Sequence, residues 1–249
     1  MPRGSGFKDH FSAQAAGYAR HRPHYPRALF EYLASLATRR QLAWDCATGN
    51  GQAAIALAGY FGNVIATDAS KTQIDAAIAH PGVSYRVAPA EDSGLLDASV
   101  DLVTAGQALH WFDTQRFFAE ACRVLVAGGC IAAWCYELCK VSPECDAAIG
   151  RLYRDIVGPF WPLERRLIEE RYASIDFPGT AIVAPAFEMS VQWAVDDMLG
   201  YLRTWSACQR FQDKCGNDPV GLIEDDLRAA WGAASQTVRW PLTVRVTRQ

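Results

Sequence analysis

The segment Trp44–Gln52 places one carboxylate and two glycines between an apolar run and a predicted helix. The carboxylate is Asp45, and the glycines are Gly49 and Gly51. Glycine lets a backbone approach a ligand closely, and the first turn of a helix leaves N–H donors unpaired. The segment therefore has the groups needed to hold a polar ligand through its backbone.

A second acidic residue follows at the end of the next apolar run. This residue is Asp68, 17 positions after Gly51, and an acid there can accept hydrogen bonds from both hydroxyls of a ribose. The spacing Gly49-x-Gly51-x-x-Ala54 also fits a dinucleotide fingerprint. The two features indicate a nucleoside cofactor, although a tight structural turn with a surface aspartate remains an alternative.

The elements that position these residues alternate between short apolar runs and helical stretches. The predicted strands are Leu42–Cys46, Val64–Thr67, Val83–Val87, Val100–Ala105, Cys130–Tyr136, Phe187–Trp193 and Val238–Val246. The predicted helices are Ser12–Arg20, Pro26–Thr38, Gly51–Gly59, Lys71–Ala79 and Gln115–Leu125, with more helix in 141–175, around Asp196–Gln209 and over Pro219–Trp231. Apolar runs separated by helices are typical of a parallel sheet covered on both faces.

The alternation predicts an α/β fold with a doubly wound, mostly parallel, seven-stranded Rossmann-like sheet. We expect a single domain over 1–249, with amino-terminal helices at 12–40 and a cofactor-binding core at 41–136. A helical cap is predicted at 137–186, followed at 187–249 by the last two strands and their helices.

Several further stretches narrow the ligand. They are Tyr18-x-x-x-Arg22-Pro23-x-Tyr25-Pro26, Ala88–Asp92, Asp101–Phe112, Arg123–Gly129 and Thr204–Ser206. With these stretches the sequence closely resembles the class I methyltransferases that use S-adenosylmethionine (SAM). Within that superfamily it resembles the small-molecule branch that contains trans-aconitate methyltransferase. The resemblance extends from about Phe11 to Arg248.

The resemblance implies a role for each matching position. Asp45 and the backbone from Ala47 to Gly51 would hold the methionine end of SAM, and Asp68 would hold the ribose. The remaining positions implied to contact the cofactor are Ala69, Ala90 and Glu91 around the adenine, Gln107 and Ala108 at the methyl-transfer face, and Tyr18 and Arg22 closing over it.

Two positions depart from the superfamily pattern. Ala47 stands where the first glycine of the usual turn is found, so we expect a negative φ at this alanine. Pro89 replaces the acid that often binds the adenine amino group, and either Glu91 supplies that acceptor or the contact is lost.

His110 and Trp111 are the candidates for contact with the acceptor. His110 is the natural general base, but its ring could equally be held by hydrogen bonds and form the pocket wall together with Trp111. The arginines at 165, 166 and 171 alternate with glutamates, which is typical of a solvated helix face. One of these arginines could instead hold a substrate carboxylate with both nitrogens of its fork.

Composition limits the remaining possibilities. The 249 residues carry a net charge of −3, with no basic stripe for nucleic acid and no apolar stretch of membrane-spanning length. No metal site is expected, and the eight cysteines are predicted to be reduced and structural, as in a cytoplasmic protein.

We therefore expect a SAM-dependent methyltransferase acting on a small-molecule acceptor, with a carboxylate as one candidate. The alternatives are a non-catalytic SAM-binding or interaction protein and an NAD-type oxidoreductase. The oligomeric state stays open.

Overall fold

The computed structural model describes residues 23–249, and its first element is helix α1, Arg27–Leu36. Pro26 precedes this helix with φ −67°, the value that a first helical turn requires. The helix ends two residues before the predicted Thr38, because Ala37 adopts an extended conformation. The predicted helix Ser12–Arg20 lies outside the described residues.

Five strands form the parallel part of the sheet, in the order β3-β2-β1-β4-β5. They are β1 Leu42–Cys46, β2 Asn63–Asp68, β3 Val83–Val87, β4 Val100–Gly106 and β5 Leu125–Tyr136. The strand order reverses between β1 and β4, and parallel doubly wound sheets bind ligands beyond the carboxyl ends of the strands at this point. The predicted α/β architecture is confirmed.

The helices that connect these strands are α2 Gln52–Ala58, α3 Lys71–Asp75 and α4 Thr114–Val124. Helix α3 stops four residues before the predicted Ala79. Its continuation is replaced by tertiary hydrogen bonds at Ile78, whose N–H donates to Asn50 O and whose carbonyl accepts from Tyr85 Oη. Tertiary contacts thus override the helical pattern after Asp75.

The far edge of the sheet differs from the predicted seven strands. Strand β8, Gln236–Arg248, runs antiparallel to β5 and pairs with both β6, Thr180–Ile182, and β7, Phe187–Trp193. The pairings of β6 and β7 lie in nearly the same register along β8, so the two are parts of one interrupted strand. The described residues therefore contain eight strands, and β6 lies inside the range predicted as the cap.

A helical layer covers the carboxyl-terminal part of the fold. It comprises α5 Pro143–Arg151, a π-helical turn Leu152–Ile156, a 3₁₀ turn Gly158–Phe160, α6 Arg165–Glu169, α7 Val195–Arg203, α8 Ser206–Cys215, a 3₁₀ turn Pro219–Leu222 and α9 Glu224–Trp231. Ile149 and Leu152 pack in one core with Leu199 and Trp231. The cap is therefore built from chain on both sides of β7, not from 137–186 alone.

All eight cysteines have free thiols, and most of them are buried. Burial raises the pKa of Cys135, Cys139 and Cys208 to about 12. These thiols stay protonated at neutral pH and pack as small apolar groups. No helix within 23–249 is long and apolar enough to cross a membrane.

Candidate active site

The turn after β1 depends on its glycines. Gly49 and Gly51 have φ values of +58° and +88°, the left-handed region that glycine adopts at no steric cost. A Cβ on Gly51 would lie 2.2 Å from the Tyr85 hydroxyl. Gly51 is also the residue from which helix α2 begins, so the turn directs the first helical amides toward the carboxyl edge of the sheet.

Ala47 lies in the same turn and has φ +53°. The expectation that this alanine avoids the left-handed region is wrong. The neighbouring contacts explain the strain, because the Thr48 amide donates to Thr67 O on β2 and the Thr48 hydroxyl donates to Asp45. These bonds fix the path of the chain, and Ala47 adopts a conformation that costs an L-residue about 1–2 kcal/mol.

Replacing Ala47 by glycine is therefore expected to stabilise the protein by up to ~1 kcal/mol. The free energy gained by relieving the left-handed strain exceeds the entropic cost of the extra conformational freedom that glycine gives to the unfolded chain. Urea unfolding measures this change. The same substitution at Ala56, inside helix α2, serves as the control and should cost about 1 kcal/mol. An Ala47→Gly protein as destabilised as the control would show that Ala47 is not strained.

Asp45 is enclosed below the turn and is 1% exposed. Its Oδ2 accepts from the Thr48 hydroxyl at 2.6 Å, and its Oδ1 accepts from the Thr104 hydroxyl on β4 at 2.8 Å. Burial raises the pKa of Asp45 to about 6, although these two hydroxyl donors lower it. The carboxylate thus ties the turn to β4, a role that the sequence did not reveal because the threonine partners carry no motif.

Asp68 stands at the end of β2, as predicted. Its Oδ2 accepts from the Gly49 amide at 3.0 Å, and its Oδ1 accepts from the Ser70 amide at 2.8 Å. Ala69, the next residue, is half-buried beside it.

The loop after β3 carries Ala90 and Glu91. Ala90 is buried, and Glu91 Oε1 accepts from the Asp113 amide at 3.1 Å, just before α4. The same loop is fastened by Glu120, whose Oε1 accepts from the Ser93 amide and from Arg123. Hydrogen bonding to the arginine lowers the pKa of Glu120 to about 2.

Gln107 directly follows β4 and has φ +54°. Its Oε1 accepts from the Tyr136 amide at 2.9 Å, its Nε2 donates to Tyr136 O, and its own amide donates to Trp134 O. The side chain therefore joins the carboxyl ends of β4 and β5. Ala108, the neighbouring residue, is buried.

His110 and Trp111 lie in a 3₁₀ turn, Leu109–Trp111, directly after β4. The His110 ring is buried, and its Nδ1 lies 3.1 Å from the hydroxyl of Tyr172. The rings of His110 and Trp111 are in contact, with centroids 4.8 Å apart. Tyr172 could not be predicted as the partner of His110, because 62 residues separate the two in the sequence.

A cavity of about 100 Å³ lies over the ends of β4 and β5. Its lining comprises Gln107, His110, Trp111, Tyr136, Glu137, Leu138, Trp161, Pro162, Arg165, Ile168, Tyr201, Thr204, Trp205 and Ser206. The structure thus brings together both sequence candidates for acceptor contact and the cap residues that the sequence could not select.

The three arginines of α6 and its end have different surroundings. Arg166 is exposed and pairs with Glu170, and Arg171 pairs with Glu137. Arg165 lines the cavity instead.

Tyr18 and Arg22 lie outside the described residues, so the structure does not bear on their implied contact with the cofactor. Within the described part of the chain, no three His, Cys, Asp or Glu side chains are grouped as a metal site requires.

Comparison with known proteins identifies the family. A methyltransferase domain family matches residues 44–133. A Dictyostelium discoideum protein named as a methyltransferase is 32% identical over 93% of this chain and 89% of its own length. A Saccharomyces cerevisiae protein named as SAM-dependent is 30% identical over 58% of this chain and 50% of its own.

A solved structure from Anaeromyxobacter dehalogenans, named as a type II methyltransferase, is 46% identical and has a TM-score of 0.86, covering 91% of this chain and 97% of that one. The expectation of a methyltransferase is confirmed, against the alternatives of an NAD-type oxidoreductase and a non-catalytic protein. The chain belongs to the class I SAM-dependent methyltransferases.

Proposed function

We propose that this methyltransferase esterifies a small carboxylic acid, which binds in the cavity over β4 and β5 with its carboxylate against Arg165. This assignment agrees with the resemblance to the small-molecule branch that contains trans-aconitate methyltransferase. The observation that carries it is the environment of Arg165, the one arginine that residues 23–249 contribute to the cavity lining.

Arg165 is held in place by aromatic rings rather than by a carboxylate. Its guanidinium carbon lies 4.8 Å from the centroid of the Trp161 ring, and its Nε donates to the Tyr153 hydroxyl at 2.9 Å. No salt bridge links it to an acid of residues 23–249. The two terminal nitrogens therefore remain for a bidentate contact with a carboxylate.

The cofactor-binding residues of this chain fit SAM. We assign the ribose to Asp68, whose carboxylate lies at the end of β2 beside the glycine turn, and the methionine end to the glycine turn above Asp45. Half-buried Ala69 and buried Ala90 supply apolar surface for the adenine. Gln107 and Ala108 lie at the adjacent end of β4, so the methyl group would face the cavity. We also assign Tyr18 and Arg22 to closing over the cofactor, as the resemblance implies.

When bound, SAM supplies a methyl group that is already electrophilic, so the residues of this chain have to align the acceptor. A carboxylate oxygen attacks without losing a proton, and the reaction therefore needs no general base. The neutral ester no longer pairs with the Arg165 cation, which favours release of the product. The methyl ester of a substrate should accordingly bind more weakly than the acid.

The experiment that tests this function offers the protein methyl-labelled SAM with matched pairs of small acids and amides, such as benzoate with benzamide and cinnamate with cinnamamide. Label should pass to acids and not to amides of the same shape. Transfer of label to the amides, with none to the acids, would contradict the proposed acceptor class.

Asp68→Ala is expected to weaken SAM binding by ~1–3 kcal/mol, because the ribose hydroxyls and the Gly49 amide lose their acceptor. Titration calorimetry with SAM measures the change. Asp75→Ala is the control, because Asp75 is exposed and pairs with Lys71 at the surface. Unchanged SAM affinity in Asp68→Ala would mean that the ribose lies elsewhere.

We also propose that the protein works in the cytoplasm. The free and mostly buried thiols support this location, because oxidising compartments favour disulfides.

A further inference from the structure

We infer that the Tyr172 hydroxyl fixes the tautomer of His110, so that this histidine presents an Nε2–H donor to the acceptor and removes no proton. This inference rests on the proposed function, in which the acceptor is an anion. It assigns His110 to binding and aligning the acceptor, and Tyr172 to positioning His110.

The first support is the position of Tyr172. This residue is fully buried, its ring stacks near the His110 ring at a centroid distance of 6.3 Å, and its hydroxyl lies 3.1 Å from Nδ1. Tyr172 does not line the cavity, whereas His110 does. Because Nδ1 is directed at Tyr172, the Nε2 side of the imidazole is the side that meets the cavity.

The second support is the unusual backbone that holds Tyr172. Arg171 and Tyr172 have φ values of +55° and +57°, and two successive non-glycine residues in this region are costly. Arg245 donates to the Tyr172 carbonyl at 2.8 Å, and Arg171 pairs with Glu137 of the cavity wall. Such strain persists only where surrounding contacts impose it, and it is common at functional sites.

The direction of the hydrogen bond follows from the groups present. Burial raises the pKa of Tyr172 well above its ordinary value, so the hydroxyl keeps its proton. Among the described residues, the partner of this buried hydroxyl is His110 Nδ1, and a buried O–H left without an acceptor is costly. The hydroxyl proton is then directed to Nδ1, which acts as the acceptor, and a neutral imidazole with this arrangement carries its proton on Nε2.

An Nε2–H donor suits the esterification of a carboxylate. One carboxylate oxygen forms the new C–O bond while the methyl–sulfur bond breaks and its electron pair passes to sulfur. The other oxygen can accept from His110 throughout. No proton moves, so a histidine locked as a donor costs the reaction nothing.

The tautomer can be measured without any acceptor. In the full-length protein labelled with ¹⁵N in histidine rings, two-dimensional NMR distinguishes protonated from unprotonated ring nitrogens, and His110→Gln identifies the His110 signals among the five histidines. We expect Nε2 protonated and Nδ1 unprotonated, with Tyr172→Phe producing a mixture of tautomers. A wild-type His110 protonated on Nδ1 would overturn the inference.

Variants provide an independent readout. The amide nitrogen of glutamine can replace an Nε2–H donor but not a base. His110→Gln should therefore bind benzoate within about threefold of wild type, whereas His110→Ala should weaken binding by about tenfold or more. His24→Gln, at an exposed position, is the control and should have no effect.

Equal losses of benzoate affinity in His110→Gln and His110→Ala would contradict a donor role. Failure of benzoate to bind the wild-type protein would contradict the proposed function instead, and the NMR tautomer would still decide the role of His110.

Discussion

Replacing Arg165 by methionine is expected to lower kcat/KM for a carboxylate acceptor by about 100-fold, since a charged hydrogen-bonded contact contributes roughly 3 kcal/mol. Methionine keeps much of the volume against Trp161 and removes only the cation and its donors. The loss should appear mainly in KM for the acceptor. SAM affinity should not change, because Arg165 lies in the cap and not at the glycine turn.

Two further variants make this prediction specific. Arg165→Lys keeps the positive charge but not the planar fork of nitrogens. Its kcat/KM for the carboxylate should therefore lie between those of the wild type and Arg165→Met. Arg166→Met is the matched control, because Arg166 is exposed and pairs with Glu170. Equal losses of kcat/KM in Arg165→Met and Arg166→Met, or no loss in Arg165→Met, would show that Arg165 does not bind the acceptor.

Replacing Asp45 by asparagine is expected to stabilise the SAM-free protein at neutral pH by about 1–3 kcal/mol. The folded-state pKa of about 6 lies above the ordinary aspartate value of 3.8, so between these values the folded chain binds a proton that the unfolded chain does not. Stability therefore falls as pH rises from about 4 to 6, and above pH 6 the ionised carboxylate costs up to about 3 kcal/mol. Asparagine avoids this cost and can still accept from Thr104.

The same variant should bind SAM more weakly, because the neutral amide no longer attracts the ammonium of the methionine end. Thermal unfolding at pH 4 and pH 7.5, with and without SAM, measures both effects, and the difference from wild type should vanish at pH 4. Asp101→Asn is an instructive control. Asp101 is also buried but accepts from Arg39 and from the amides of Gln41 and Leu42, so its loss should destabilise. A destabilised Asp45→Asn protein at pH 7.5 would contradict the account of Asp45.

Much of the fold could be predicted, because apolar strand segments and the helical stretches between them are local features of the sequence. The bounds of β1, β3 and β7 agree with the sequence prediction. The split of one edge strand into β6 and β7 could not be predicted, because Thr180–Ile182 is short and its pairing depends on the register of β8. The end of α3 likewise depends on distant partners of Ile78.

The residues of the candidate site also divide into those that a sequence pattern predicts and those that depend on tertiary contacts. Asp68 and the glycines stand at strand ends and carry a pattern that the sequence shows. The positive φ of Ala47 contradicts the prediction, because the hydrogen bonds of Thr48 impose the turn against the conformational preference of alanine. Arg165 could not be separated from Arg166 by composition, since only the packing of α6 decides which of them meets the cavity.

The linkage of the transferred methyl group tests the central claim most directly. After incubation with methyl-labelled SAM and benzoate or cinnamate, the purified product is treated with mild alkali. Esterification of a carboxylate predicts that the label is released as volatile methanol and that Arg165→Met forms little of this product. A label that stays on the acceptor after alkali, as it would on carbon, would contradict the assignment of a carboxylate acceptor.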